Sequence, residues 1–440
     1  MFELKGRYTD ALLFLETCEE GLVEQIYPII NSQIANGLKI RIMPDAHVGK
    51  GICVGFTMEL GRYISPAFCG VDIGCGMLAA SFTSTEPLDL PLIDELVKKR
   101  VPMGFSVHEG AKSKKIPYEE VQIAANSFVA KYNEKFGTSY VAPSYNEKWL
   151  KTRLKSIGMD SEKFFKSIGT LGGGNHYYEV GIEDVNKYWV TIHCGSRNFG
   201  VKVCEYWMKQ AKTQSNDTSA EYLSEFNSIV NDTIDRKTIP QLMKELREKH
   251  NKGIEQDYLS NELAMGYFLD MIFAQKYAEW NRQAILDISQ KILKVKAFDE
   301  VISSVHNYVD FHDFIIRKGA ISSYVGQKMI IPFNQKDGMV ICEGKSNPDW
   351  NNSAPHGAGR LYSRSKAKEL ISLEMVEESM KGIYSTSVCD STIDESVFAY
   401  KDSKMIEAAI QDTATILHRV KPVLNIKDST SAPRRSKKDR

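Results

Sequence analysis

Three glycine-rich apolar segments, at 39–80, 167–200 and 319–360, constrain the fold of this chain most. Each mixes short β-prone runs with turns: LKIRIM leads into Pro44, and YWVTIH leads into Cys194. Runs of β-branched and aromatic residues cut by glycine and proline read as short strands. Helical stretches lie between them. From Tyr258 to Lys294, Leu, Met, Phe, Ala and Ile recur at helical spacing, and further helices are expected near 363–382 and 402–419. The elements interleave without a βαβ rhythm, so the pattern predicts an α+β fold rather than a doubly wound sheet. One large domain is expected over 1–428, with the more polar segment 108–166 as a peripheral insertion. The stretch 429–440 has no apolar periodicity and holds Arg434, Arg435, Lys437, Lys438 and Arg440. It reads as a disordered basic tail.

A chain of 440 residues can bury a large core without staples. Its 56 basic and 56 acidic residues cancel, so net charge gives no support for nucleic-acid binding and leaves open only a local basic channel. No run approaches the roughly 20 apolar residues of a membrane span. The start, MFELKGRYTD, is too charged for a secretory signal. Eight scattered cysteines without short-spaced pairs point to a reducing compartment, and a cytoplasmic location is expected. Cys18, Cys53, Cys204, Cys342 and Cys389 read as small buried hydrophobes.

Histidine is scarce, with nine in all, yet four lie in glycine-rich polar surroundings. These are His176 in LGGGNHYYEV, His193 in VTIHCGSRNFG, His306 in SVHNYVDFH and His356 in APHGAGR. Such positions, at the ends of β-prone runs or in loops, let side chains converge. CGVDIGCGM adds Asp72 and Cys75, flanked by glycines that permit a tight backbone. Carboxylate, thiolate and imidazole together suit a divalent transition ion, and a thiolate can bridge two. Each motif alone is weak, since a lone histidine is more often structural, and spacing alone leaves a metal site and a structural role equally open. MPDAHVGKG supplies Asp45, His47 and Lys50, as a turn after a strand or as part of the site. EGKS at 343–346 lacks the leading glycine of a phosphate loop and is set aside.

In order, MPDAHVGKG, GVDIGCG, GTLGGGNHYYE, IHCGSRNFG, HN and HGAGRLYSR resemble the RtcB family of RNA-splicing ligases. RKGA at 317–320, AYKD at 399–402 and the closing PVLNIKD agree, so the likeness runs from about 40 to 428. The resemblance implies one α+β domain with sheets around a deep metal-containing cleft. It implies two manganese ions held by Asp72, Cys75, His176, His193 and His306, with Cys75 as the bridge. It implies GTP as cofactor and His356 as the guanylylated residue. Asn175, Glu179, Tyr400, Lys427, Arg360 and Gly359 fall at positions expected to contact the guanylate, and Arg197 and Arg360 at positions suited to oxyanions. The implied partners are RNA with 3′-phosphate or 2′,3′-cyclic phosphate ends, RNA with 5′-hydroxyl ends such as tRNA or rRNA fragments, and an archease-like activator.

Chemistry agrees with these roles. A neutral imidazole can attack the α-phosphate of GTP, and Glu179 can accept hydrogen bonds from guanine N1–H and N2–H. Three departures from the family pattern stand out. FNQKDGMVICEG replaces a Gly- and Ser-rich segment after Ile331-Pro332, so an expected serine contact to the guanylate is lost or taken over by Asn334 or Lys336. Cys194 stands where threonine is usual, and HVGKG replaces a more aromatic version of its motif. These point to a divergent branch devoted to repair of cleaved tRNA or rRNA. The competing readings are a metal-dependent RNA phosphoesterase or cyclic phosphodiesterase that does not ligate, and a non-catalytic RNA scaffold, which would have no use for so complete a ligand set.

Overall fold

The computed structural model describes residues 1–111, 115–216, 220–233, 236–250 and 256–430. The expected tail therefore lies, from 431 onward, outside the described residues. The strands are β1 (Phe2–Leu4), β2 (Ala11–Leu13), β3 (Ile40–His47), β4 (Val54–Glu59) and β5 (Gly76–Thr83). Next come β6 (Tyr177–Asp184), β7 (Lys187–Cys194), β8 (Glu300–Val305), β9 (Asn307–Asp310) and β10 (Ile315–Lys318). The last are β11 (Ala320–Ser322), β12 (Lys328–Asn334), β13 (Gly338–Gly344), β14 (Ser353–Pro355) and β15 (Ala414–Ile426). They form a six-stranded sheet, β1-β2-β3-β4-β10-β9, a seven-stranded sheet, β12-β13-β15-β6-β7-β5-β8, and a small pair, β11-β14. With the helices packed on them, the architecture is α+β.

The seven-stranded sheet is covered on both faces, which explains why its central strands carry near-continuous apolar runs. In β5, Leu78, Ala80 and Phe82 enter one core cluster while Met77 and Ala79 enter another. Side chains alternate across a strand, so this division is the period-two pleat written into GMLAASF. The helix Asn261–Leu293 matches the expected 258–294 and is buried around much of its circumference, including Phe268, Ile272, Tyr277 and Ile285. A helix apolar on most sides belongs inside a large protein. From 108–166 come three helices, Tyr118–Phe136, Glu147–Ser156 and Ser161–Lys166, which pack on this helix through Phe128–Phe268 and Phe164–Tyr277.

Three expectations need correction. Of 402–419, Ser403–Ala409 is α-helical and Ile410–Asp412 a 3-10 turn, and β15 begins at Ala414. From Thr415 to Arg419 exposure alternates residue by residue; β13 pairs with β15 from Ala414 to Val420 and β6 takes over from Lys421 to Ile426. Near 363–382 there are two helices, Arg364–Leu370 and Leu373–Ser379, because Ser372 caps the second by accepting the Met375 N–H. All eight cysteines are free, but Cys18 and Cys389 are only half-buried rather than core residues.

Candidate active site

Sheet order brings the proposed ligands together. His176 immediately precedes β6, His193 lies at the end of β7, Cys75 immediately precedes β5, and His306 follows β8. These four strands are neighbours, and alternate in direction, so all four residues emerge at one sheet edge. The register confirms it: Met77 and Tyr177 both pair with His193, and Gly76 pairs with Val305. Asp72 enters from the turn before Cys75. Gly195 leaves it room, since a Cβ there would overlap the Asp72 carboxylate.

The donor atoms form two overlapping sets, Asp72–Cys75–His176 and Cys75–His193–His306, each with its atoms within 4.8 Å of one another. Cys75 Sγ lies 3.4 Å from the Nε2 atoms of both His176 and His193, and His193 Nε2 lies 3.4 Å from His306 Nε2. His193 donates its Nδ1–H to the Asn175 carbonyl at 3.0 Å, which leaves the Nε2 lone pair facing inward. Burial holds His193 and His306 well below the usual imidazole range, so both rings are neutral with lone pairs available to a cation. Burial also pushes the Cys75 thiol well up, with the Asp72 charge adding to it. Converging lone pairs and the sealed, unpartnered Oδ1 of the half-buried Asp72 are costly without a cation. A divalent ion satisfies them and would deprotonate the thiol. The donor set therefore fits a metal.

Asp72, Cys75, His193 and His306, though not His176, line a cavity of about 940 Å³ that also takes in His356, Asn175, Glu179, Gly359, Arg360, Tyr400 and Lys427. His356 follows β14, and its ring is 4.9 Å from that of His306. Asp45 in β3, fully buried, accepts from His356 twice: from Nδ1–H at 2.7 Å and from the backbone N–H at 3.2 Å. The imidazole is thereby fixed with Nε2 free. Gly359, at φ 75°, lets its loop lie on Asp45, whose carbonyl a Cβ there would overlap.

A second polar group forms the far wall. Asn425 in β15 donates to Glu179 in β6 at 2.8 Å. Burial pushes the Glu179 carboxyl up to about 8, against the opposing pull of Asn425 and Lys427. Glu395 accepts from Tyr400 Oη at 2.6 Å and pairs with Lys427, Arg364 and Arg360. Burial would raise its carboxyl, but Lys427, Arg364 and Arg360 hold it down at about 2. Arg360 also donates to the Asp394 carbonyl. Arg197 does not line the cavity; it donates to Thr170 Oγ1 and the Gly104 carbonyl, each at 2.9 Å. Sequence reasoning left Asp45 undecided and missed Glu395, Asn425 and Arg364. The acid in DESVFAY carries no motif, and its role appears only through the four partners that the fold gathers around it.

A two-sheet α+β domain, with a Cys/His/Asp cluster beside an oriented histidine, defines a protein built around a buried polar, metal-competent cleft. The family model described as tRNA-splicing ligase RtcB matches residues 33–428. The chain belongs to the RtcB family. It is 29% identical over 411 residues to RNA-splicing ligase RtcB1 of Escherichia coli, covering 88% of this chain and 90% of that protein. It is 26% identical over 486 residues to tRNA-splicing ligase RtcB of Methanococcus maripaludis, covering 94% and 93%.

Proposed function

We propose that this protein is an RNA ligase that uses GTP and two manganese ions to join 3′-phosphate or 2′,3′-cyclic phosphate ends to 5′-hydroxyl ends, through GMP carried on His356. The observation that carries this reading is the Asp45–His356 pair at 2.7 Å, set beside the donor cluster inside one cavity. The splicing-ligase names of the relatives bring RNA in as the substrate.

With Nδ1–H held by Asp45, His356 Nε2 attacks the α-phosphorus of GTP. An N–P bond forms, the bond from that phosphorus to the bridging oxygen breaks, and pyrophosphate leaves. Asp45 balances the positive charge that develops on the imidazole. An oxygen of the RNA 3′-phosphate then takes the GMP from His356. The 5′-hydroxyl attacks the activated RNA phosphorus, loses its proton, and GMP departs. A cyclic phosphate is first opened by water to the 3′-phosphate. Asp72, Cys75, His176, His193 and His306 would hold the manganese, which supplies charge neutralisation for phosphoryl oxygens. Glu179 takes the guanine N1–H and N2–H, while Tyr400, Lys427, Arg360 and Asn175 line the nucleotide, with Gly359 at its phosphate end. Incubation with α-labelled GTP and manganese, followed by denaturing electrophoresis, tests the reading. Wild type is expected to carry label, and His356→Ala none at unchanged metal content. Metal-bound wild type that opens cyclic phosphates but never labels would instead be a phosphoesterase.

A further inference from the structure

The segment in which this chain departs from its family forms part of the cavity wall. Pro332, Phe333, Asn334 and Gln335 line it, at the tip of the β12–β13 hairpin. The tip abuts the histidine loop: a Cβ on Gly357, the residue after His356, would stand 2.9 Å from the Pro332 carbonyl oxygen. Neither residue expected to replace the missing serine is placed to do so. Asn334 donates to Asp337 and accepts the Lys336 and Asp337 backbone N–H groups, so its carboxamide holds its own turn. Lys336 is exposed and does not line the cavity.

Gln335 differs from both. It is 9% exposed, although its neighbours Lys336 and Asp337 in the turn are exposed. Its side chain has no hydrogen-bond partner among the described residues. Gln335 lines the cavity and neither its Oε1 nor its Nε2 is sealed off from it, so its two N–H donors are open to a ligand bound there. From the nucleotide reading above, on which this step rests, Glu179 of β6, held by Asn425 of β15, takes the N1/N2 edge of guanine. The other polar edge offers two acceptors, N7 and O6, and needs a donor. A glutamine carboxamide carries two N–H donors on one nitrogen.

We infer that Gln335 donates to the N7/O6 edge of the guanine held beside His356, in place of the serine contact that this chain lacks. Glutamine also accommodates the N7/N6 edge of adenine. Gln335 therefore adds purine affinity, and discrimination between guanine and adenine stays with Glu179.

Labelling of His356 with GTP and with 7-deaza-GTP, in wild type, Gln335→Leu and Gln335→Glu, tests this. One hydrogen bond predicts that wild type needs roughly 3–10-fold more 7-deaza-GTP than GTP for half-maximal labelling. Gln335→Leu should show the same loss with GTP and no further loss with 7-deaza-GTP. Gln335→Glu keeps the size but removes the donor, and should be at least as poor, which separates the hydrogen bond from packing. Metal content and labelling at saturating GTP should not change. Half-maximal labelling of Gln335→Leu at the wild-type GTP concentration overturns the assignment, as does equal sensitivity of wild type and Gln335→Leu to loss of N7. No His356-dependent label with any nucleotide overturns the nucleotide reading itself, and this assignment with it.

Discussion

Asp45 has no role in the chemistry except through His356, so it separates orientation from reaction. Asp45→Asn keeps the shape but loses the charge that balances the imidazolium and replaces one of the two acceptor oxygens with a donor, so the ring is no longer held in one tautomer. Labelling is expected to fall by at least about a hundredfold, as for carboxylates that orient other nucleophile-activating imidazoles, with metal content unchanged; loss of metal would place Asp45 in the donor cluster instead. Glu179 gives a second test at this scale. Its carboxyl titrates at about 8 in the buried pocket, so below that pH the empty site is mostly protonated. Guanine, with two donors on its edge, needs the carboxylate. Half-saturation by GTP should therefore improve as pH rises toward 8, by up to about tenfold per unit, and level off above it. The same shift lowers stability between about 4.5 and 8, because the raised pKa favours the acid form and its contribution is lost as the group ionises. Glu179→Gln should flatten the GTP dependence. Glu179 was legible because it sits in a motif beside a histidine. Asp45 was legible only as an alternative, because its partner is 311 residues away and no local pattern joins them.

The long helix Asn261–Leu293 carries the element-scale argument. Asn281, fully buried, accepts the Gly169 and Thr170 N–H groups and donates to the Thr170 and Gly195 carbonyls and to Cys194 Sγ. Arg282 donates to the carbonyls of Gly74 and Cys194, the residues beside Cys75 and His193. The helix thus positions, from behind, two loops that carry the donor cluster. Cys194, read from the sequence as a departure from a usual threonine, accepts from Asn281 on this helix. Asn281→Ala would leave several buried backbone groups unpaired, at about 1–3 kcal/mol each. A drop in the denaturant midpoint together with weaker metal retention is expected; unaltered metal affinity would mean that the loops hold themselves. The helix itself was readable from its apolar recurrence. Its polar residues were not, because Asn281 and Arg282 look like ordinary surface positions until both loops are seen against them. The β15 strand was misread for a related reason: Ser403–Ala409 starts a helical pattern, and only pairing with β13 and β6 shows where it stops.

For the molecule as a whole, charge is nearly balanced even inside the cleft. Its walls hold Lys50, Lys318, Arg360, Arg364 and Lys427 against Glu19, Asp72, Glu179 and Glu395. Side chains alone cannot neutralise a triphosphate and an RNA end, which is why the donor cluster matters to the reading. Metal bound only by the folded state should raise stability by about 2.7 kcal/mol at a hundredfold excess over Kd. Unfolding with manganese and with chelator should show that gap in wild type and a much smaller one in Cys75→Ala; an equal gap in both would refute the shared-thiolate arrangement.

The position of β15 has a temporal consequence. It comes last among the strands along the chain, yet it lies in the middle of its sheet, between β13 and β6. During synthesis, β6, β7, β5 and β8 can pair and assemble the donor cluster before residues 414–426 exist. The β12–β13 hairpin, which touches β8 through the Ile330 N–H to Ser304 Oγ bond, is joined by its backbone ladder to β6 only when β15 arrives, bringing Asn425 and Lys427 with it. A nascent chain therefore completes its cation-binding half first and its base-binding wall last. On the proposed reading, loading of His356 with GMP marks a chain whose folding is finished.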